Sequence, residues 1–134
     1  MRKMTVSFPL PLETEQISEV WHRVKNGFDA VVEEEGQQTV VIHVPHGFVT
    51  NFASVPRLPF TYLFFGGKGN RAAVINDFLY FKAERPRNWC DAVFHHGLMA
   101  LAPEITQTQA DVMYAAVRAG GEKYYGTMDP ERPT

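Results

Sequence analysis

The sequence predicts an α+β fold, a small N-terminal antiparallel β-meander packed against about three C-terminal α-helices, and three observations carry that expectation. Turn punctuation and β-branched runs dominate up to about residue 50, and apolar residues recur at helical spacing from about residue 71. A glycine-rich break at Gly66-Gly67-Lys68-Gly69 separates the two halves. Strands first and helices second is the order of an α+β layout. The expected divisions are a β-rich part over 4–50, an ordered loop over 51–70, a helical part over 71–121 and a tail over 122–134, all in one domain.

In chain order, Glu19 to Lys25 reads as a strand ending at Asn26-Gly27, a strong hairpin signal, and Phe28 to Glu33 follows with Phe28, Ala30 and Val32 on one face. Glu34 to Gln37 makes a polar turn. Thr39 to Val44 is the most strand-like run, with five β-branched residues among six, closed by Pro45-His46-Gly47. Phe48 to Pro59 is apolar but broken by Asn51, Ser54, Pro56 and Pro59, so it reads as an ordered, packed loop. Asn70 is placed to cap a helix over about Arg71 to Lys82 that buries Val74, Ile75, Phe78 and Leu79. Pro86 starts a second helix that ends before Pro103. Thr106 or Thr108 opens a third, with Val112, Met113, Ala116 and Val117 on one face, stopped by Gly120-Gly121. The tail from Thr127 to Thr134 reads as a flexible end or an arm that docks on something else.

Composition bounds the function without naming it. With 134 residues, 45% apolar and 13% aromatic, the chain supports one core without metal or crosslinks. A formal charge of −2 gives no footprint for nucleic acid, and none is expected as a partner. The start of the chain does not read as a secretory signal, and the apolar stretches around Phe60 to Phe65 and Phe94 to Leu101 fall short of the ~20 residues of a membrane helix, so no membrane insertion is expected. Cys90 reads as a small core hydrophobe rather than a reactive thiol.

Reactive groups fall into four clusters. The loop from Gly47 to Arg57 is dense in small hydroxyls and amides that bond their own backbone. Asp77 lies among apolar residues and needs a partner, for which Arg57, Arg71 or a metal is available, an arginine being favoured. Asp91 and His95 stand four apart on one helical face, the spacing of a carboxylate orienting an imidazole or of a two-ligand metal patch, although an ordinary hydrogen bond is the simpler reading. His96 falls with Trp89, Val93 and Ala100 and reads as a core-edge histidine. The Gly66 to Gly69 loop lacks the spacing and ending of a P-loop. Ser54 or Thr50 could serve as a nucleophile with His95 and Asp91 behind it only if the fold brought them together.

The order of these pieces resembles a known family. GFVTNFASVPR at 47–57, RAAVINDFLY at 71–80, Asp91 in a helix and the run from Met113 to Gly121 are similar to small proteins of unknown function encoded mainly by tailed bacteriophages and prophages. That family usually reads GFVTDFASVPR, then RAAVLHDYLY, then an AD-containing helix and a YxAVR-like helix, and the likeness spans about residues 40–121. It singles out Thr50, Asn51, Ser54, Arg57, Asn76, Asp77 and Tyr80 as motif residues and implies a phage origin, with the virion or the host cytoplasm as location. It implies no reaction. Two positions depart from the pattern, Asn51 where Asp is usual and Asn76 where His is usual. The usual His-Asp step resembles the helix of secreted phospholipases A2, whose His is a general base and whose Asp binds calcium beside a glycine-rich loop. Asn76 has no useful basicity, so by that likeness this chain is the inactive form, or its base is His95 or His96.

The expected function is therefore a non-enzymatic virion component, tail-associated, or an assembly factor, with other phage structural proteins as partners and no cofactor. Phe60, Tyr62, Phe64 and Phe65 are apolar candidates for such an interface. The alternative is a small hydrolase using Asp77, Asp91 and His95 around calcium, zinc or a water. A second alternative is a factor that binds a host protein, for which the acidic run Glu33-Glu34-Glu35 is available.

Overall fold

Alternating burial along the early strands sets the first sheet. The structure, a computed structural model, describes residues 3–19, 21–52, 69–127 and 132–133. Its strands are β1 (Met4–Ser7), β2 (Thr14–Gln16), β3 (His22–Val24), β4 (Phe28–Glu34), β5 (Val40–Val44) and β6 (Val49–Thr50). Phe28, Ala30 and Val32 of β4 are buried in strict alternation, as are Ile42 and Val44 of β5 and Met4 and Val6 of β1. A one-residue slip would turn each set toward solvent, so burial fixes the register. The three strands form an antiparallel sheet in the order β1-β4-β5, with Val6 opposite Val32 and Ala30 opposite Ile42. The turn expected at Glu34 to Gln37 joins β4 to β5, with Gly36 at φ 77° and Gln37 N donating to the Glu34 carbonyl.

A second antiparallel sheet, in the order β2-β3-β6, carries the link to the candidate site. It corrects the expected hairpin at Asn26-Gly27. β3 pairs with β2 and β6, whereas β4 pairs in the other sheet, so this dipeptide carries the chain from one sheet to the other. The positive-φ glycines among the described residues are Gly36, Gly47 and Gly126, and Gly27 lacks the conformation of a type I′ turn. Competing bonds draw β3 away: Lys25 N donates to the Glu13 carbonyl, Asn26 Nδ2 to Glu13 Oε2 at 2.8 Å, and Gly47 N to the Val24 carbonyl. A Cβ at Gly27 would lie 2.7 Å from Cε1 of the exposed His43 ring, which would have to swing aside.

The helices are α1 (Asn70–Lys82), α2 (Arg87–Met99) and α3 (Gln107–Gly120). Helix α1 buries Val74, Ile75 and Leu79, but Asn70 is its first helical residue and does not cap it. Pro86 precedes α2 as expected. Thr106 caps α3 through a full capping box with Gln109, which satisfies two backbone donors reciprocally. In α3 the buried face is Ala110, Met113 and Val117, while Val112 is exposed, a correction of one position in the predicted stripe. Gly97 lets α2 approach α1, because a Cβ there would meet Ala72 Cβ at 3.3 Å. A single apolar cluster runs from Met4 and Val6 through Phe28, Val44, Val74, Ile75 and Phe94 to Val117. Among the described residues no helix is long and apolar enough to cross a membrane.

Candidate functional site

The two sequence motifs meet in space. Among the described residues, five polar or charged side chains are buried, and four of them, Thr50, Asn51, Asn76 and Asp77, come from these motifs. β6 and the residue after it supply the first pair and the middle of α1 the second. Gly47 at φ 93° turns the chain into β6. Thr50 Oγ1 then accepts from Phe52 N at 3.0 Å and donates to Asp77 Oδ2 at 2.7 Å, so one hydroxyl holds the loop and joins it to the helix. Phe52 is held at φ 61°, an uncommon conformation for an aromatic residue, with its ring 4.8 Å from that of His22.

Asp77 finds its cation at the far end of the chain. Arg132 Nη2 donates to Asp77 Oδ1 at 3.0 Å, and its Nη1 donates to the Val49 carbonyl. The guanidinium carbon lies 5.3 Å from the ring centroid of Trp21 and 5.2 Å from those of Phe48 and Phe81. The aromatic wall is itself packed, Phe48 standing edge-on to Phe78 at 5.2 Å and to Phe81 at 5.7 Å. A nearly buried carboxylate left without a counter-charge would cost several kcal/mol, about the largest single contribution in this region. Cation-π contacts of ~0.5–2 kcal/mol each add to the pairing. An arginine partner was expected for Asp77, and Arg132 supplies one. Arg71 lies instead over the Phe8 ring at 5.7 Å, and Arg57 is outside the described residues.

The other candidates occupy separate places. Asp91 is fully buried and accepts from Tyr80 Oη at 2.5 Å, Arg118 Nη1 at 2.6 Å and Arg87 Nη1 at 3.3 Å. Burial, then the Asp91 contact, holds the Tyr80 phenol above its usual pKa. His95 turns away from Asp91: its Nε2 meets Asp111 Oδ1 at 2.8 Å and its ring stacks on Tyr114 at 4.5 Å. The expected Asp91–His95 bond is thus replaced by two unrelated pairings. Thr50, engaged by Asp77 and Phe52, takes no part in a triad with His95. His96 is half-buried, and burial, aided by His95, lowers its pKa. Burial pushes the Cys90 thiol up to about 12, with Asp91 adding to the shift, so it is an unreactive core residue at neutral pH. No group of three or more His, Cys, Asp and Glu among the described residues is placed to hold a metal. A cleft of about 520 Å³, where Arg85 stacks on Trp89 at 4.7 Å, has Glu34 of the acidic run in its wall but none of Thr50, Asn51, Asn76, Asp77, Tyr80, Asp91 or His95.

Ser54, Phe60, Tyr62, Phe64, Phe65 and the Gly66 to Lys68 part of the glycine loop lie outside the described residues. Trp21, Phe81 and Arg132 are the site residues that sequence reasoning missed. The available signal was a single arginine beside a proline in an otherwise polar tail.

This fold and site define an α+β protein in which the two motifs, with Trp21 and Phe81, line an aromatic-walled cage around a guanidinium. The chain belongs to the family described as protein of unknown function DUF1353, whose sequence profile matches residues 12–117. No curated protein and no solved structure matches it.

Proposed function

We propose that this chain is a phage-encoded, non-enzymatic protein that works by docking on other proteins, as a tail-associated virion component or an assembly factor. The observation that carries the docking reading is the state of Asp77. Its carboxylate is taken up by Thr50 and Arg132 inside an aromatic wall, an arrangement suited to holding a cation in place rather than activating water. The neighbouring Asn76 is an amide without useful basicity, and the charge of Asp91 is met by two arginines. Asp77, Asp91 and His95 each serve a different set of partners, which supports docking over hydrolysis. The phage origin rests on the likeness of GFVTNFASVPR and RAAVINDFLY to the phage family, and the net charge of −2 favours protein partners over DNA.

Mass spectrometry of purified virions of the encoding phage tests the location. The chain is expected there at a fixed ratio to the tail proteins, and its absence from particles and from assembly intermediates overturns the reading. Incubating the purified chain with phospholipid vesicles and with peptidoglycan, with added calcium or zinc, tests the chemistry. No turnover is expected, and turnover abolished by Asp77→Asn would establish an enzyme.

A further inference from the structure

We infer that the Asp77 cage is an arginine-recognition site, built to take the guanidinium of a protein segment, and that Arg132 is its resident intramolecular ligand. The inference rests on the docking reading above and names the ligand class for it. The cage matches a guanidinium in charge and in shape. Asp77 Oδ1 and the Val49 carbonyl accept from the two terminal nitrogens, and three aromatic rings lie 5.2–5.3 Å from the central carbon. A lysine ammonium is a compact point charge that lacks the planar fork needed to reach separated acceptors while contacting ring faces.

The receptor and its ligand differ in origin within the chain. Trp21, Phe48, Val49, Thr50, Asp77 and Phe81 all lie inside the family-matched residues 12–117, and Arg132 lies beyond them. The cage residues thus lie within the stretch that the family profile covers, and the arginine that fills the cage lies outside it. The tail also fits incompletely, since Arg132 Nε is buried without a hydrogen-bond partner among the described residues. A buried donor without an acceptor weakens the resident ligand. A tethered ligand competes at an effective concentration of ~1 mM, so exchange in the native chain needs a trans ligand that binds more tightly or in many copies.

Fluorescence anisotropy of a labelled peptide of residues 128–134, MDPERPT, tests this with full-length protein. The Arg132→Ala chain, whose cage lacks its resident arginine, is expected to bind the peptide saturably. The native chain should bind at least about tenfold more weakly because its own tail competes. The same peptide carrying Lys in place of Arg should lose most of the binding to Arg132→Ala, and adding Asp77→Asn should abolish it. If Arg132→Ala does not fold, Arg132→Lys keeps a cation over Asp77 and is expected to release the cage to the arginine peptide. A folded variant that does not bind, or that binds the Lys peptide equally well, overturns the inference. Absence from virions would leave a positive binding result standing, and absence of binding would leave a virion location standing, so the two readings fail separately.

Discussion

Asn76 sits at the centre of α1 with no exposed surface, and neither Oδ1 nor Nδ2 has a hydrogen-bond partner among the described residues. Such an amide has left water without compensation, at a cost of about 1–3 kcal/mol. Its neighbour Asp77 is buried too, but gains Thr50 and Arg132, so adjacent residues of one motif pull stability in opposite directions. Asn76→Leu keeps the branch at Cγ and removes both polar atoms but is bulkier, so the gain is expected to be no more than about 1 kcal/mol in urea denaturation. A loss of stability in both Asn76→Leu and the smaller Asn76→Ala, beyond the few tenths that overpacking or a cavity explains in each, would mean that the amide is bonded and that its burial carries no penalty.

Asp91 acts between elements. It lies on α2, its bonds reach Tyr80 on α1 and Arg118 on α3, and Arg87 of α2 also donates to the Val117 carbonyl at 3.2 Å. One carboxylate thus clamps three helices. Side-chain exposure of 21% for Arg87 and 36% for Arg118, against 0% for Asp91, places the pairings at the edge of the core, where solvent weakens them. Asp91→Asn is expected to cost about 2–3 kcal/mol, below the ~3–5 of a fully buried pair. A double-mutant cycle with Arg118→Met checks it, and a coupling energy near zero would remove the clamp from the account. The helices were legible in the sequence because local signals set them: the apolar set Val74, Ile75, Phe78 and Leu79 in α1, although burial there extends to nearly every face, Pro86 before α2 and the Thr106 cap of α3. The division of the strands into two sheets was not, because Asn26-Gly27 carries a hairpin signal that the bonds to Glu13 and across to Gly47 override. For the site, Thr50 and Asp77 were each legible as motif residues, but their juxtaposition was not, since Thr50 was weighed beside His95 and Asp91. Nor was the arginine, because a contact between residues 77 and 132 leaves no periodic trace in either segment.

Across the whole molecule, the sheet of β1, β4 and β5 joins the helices in one apolar cluster, while the sheet of β2, β3 and β6 reaches α1 through Thr50 and Asp77. Histidines occupy both regions: His22 lies on β3 against Phe52, and His96 lies on α2 beside His95. Burial lowers the pKa of each below the usual 6.5, and the nearby His95 adds to the lowering at His96. The folded chain therefore resists protonation at these sites more than the unfolded chain does. Above about 6.5 both states are neutral there, and the two histidines leave stability unchanged with pH. Below that value the unfolded chain binds protons first, so their contribution falls with falling pH until the folded chain also titrates. Asp111 acts in a separate window. Hydrogen bonds from His95 and then Gln107 lower its pKa below the usual 3.8, so its contribution is present above that value and is lost only in stronger acid. Calorimetric melting at pH 7.5 and 5.5 is expected to give a lower Tm at pH 5.5, and the double variant His22→Gln with His96→Gln should narrow the gap. A gap of unchanged size in that variant would assign the acid sensitivity to other groups.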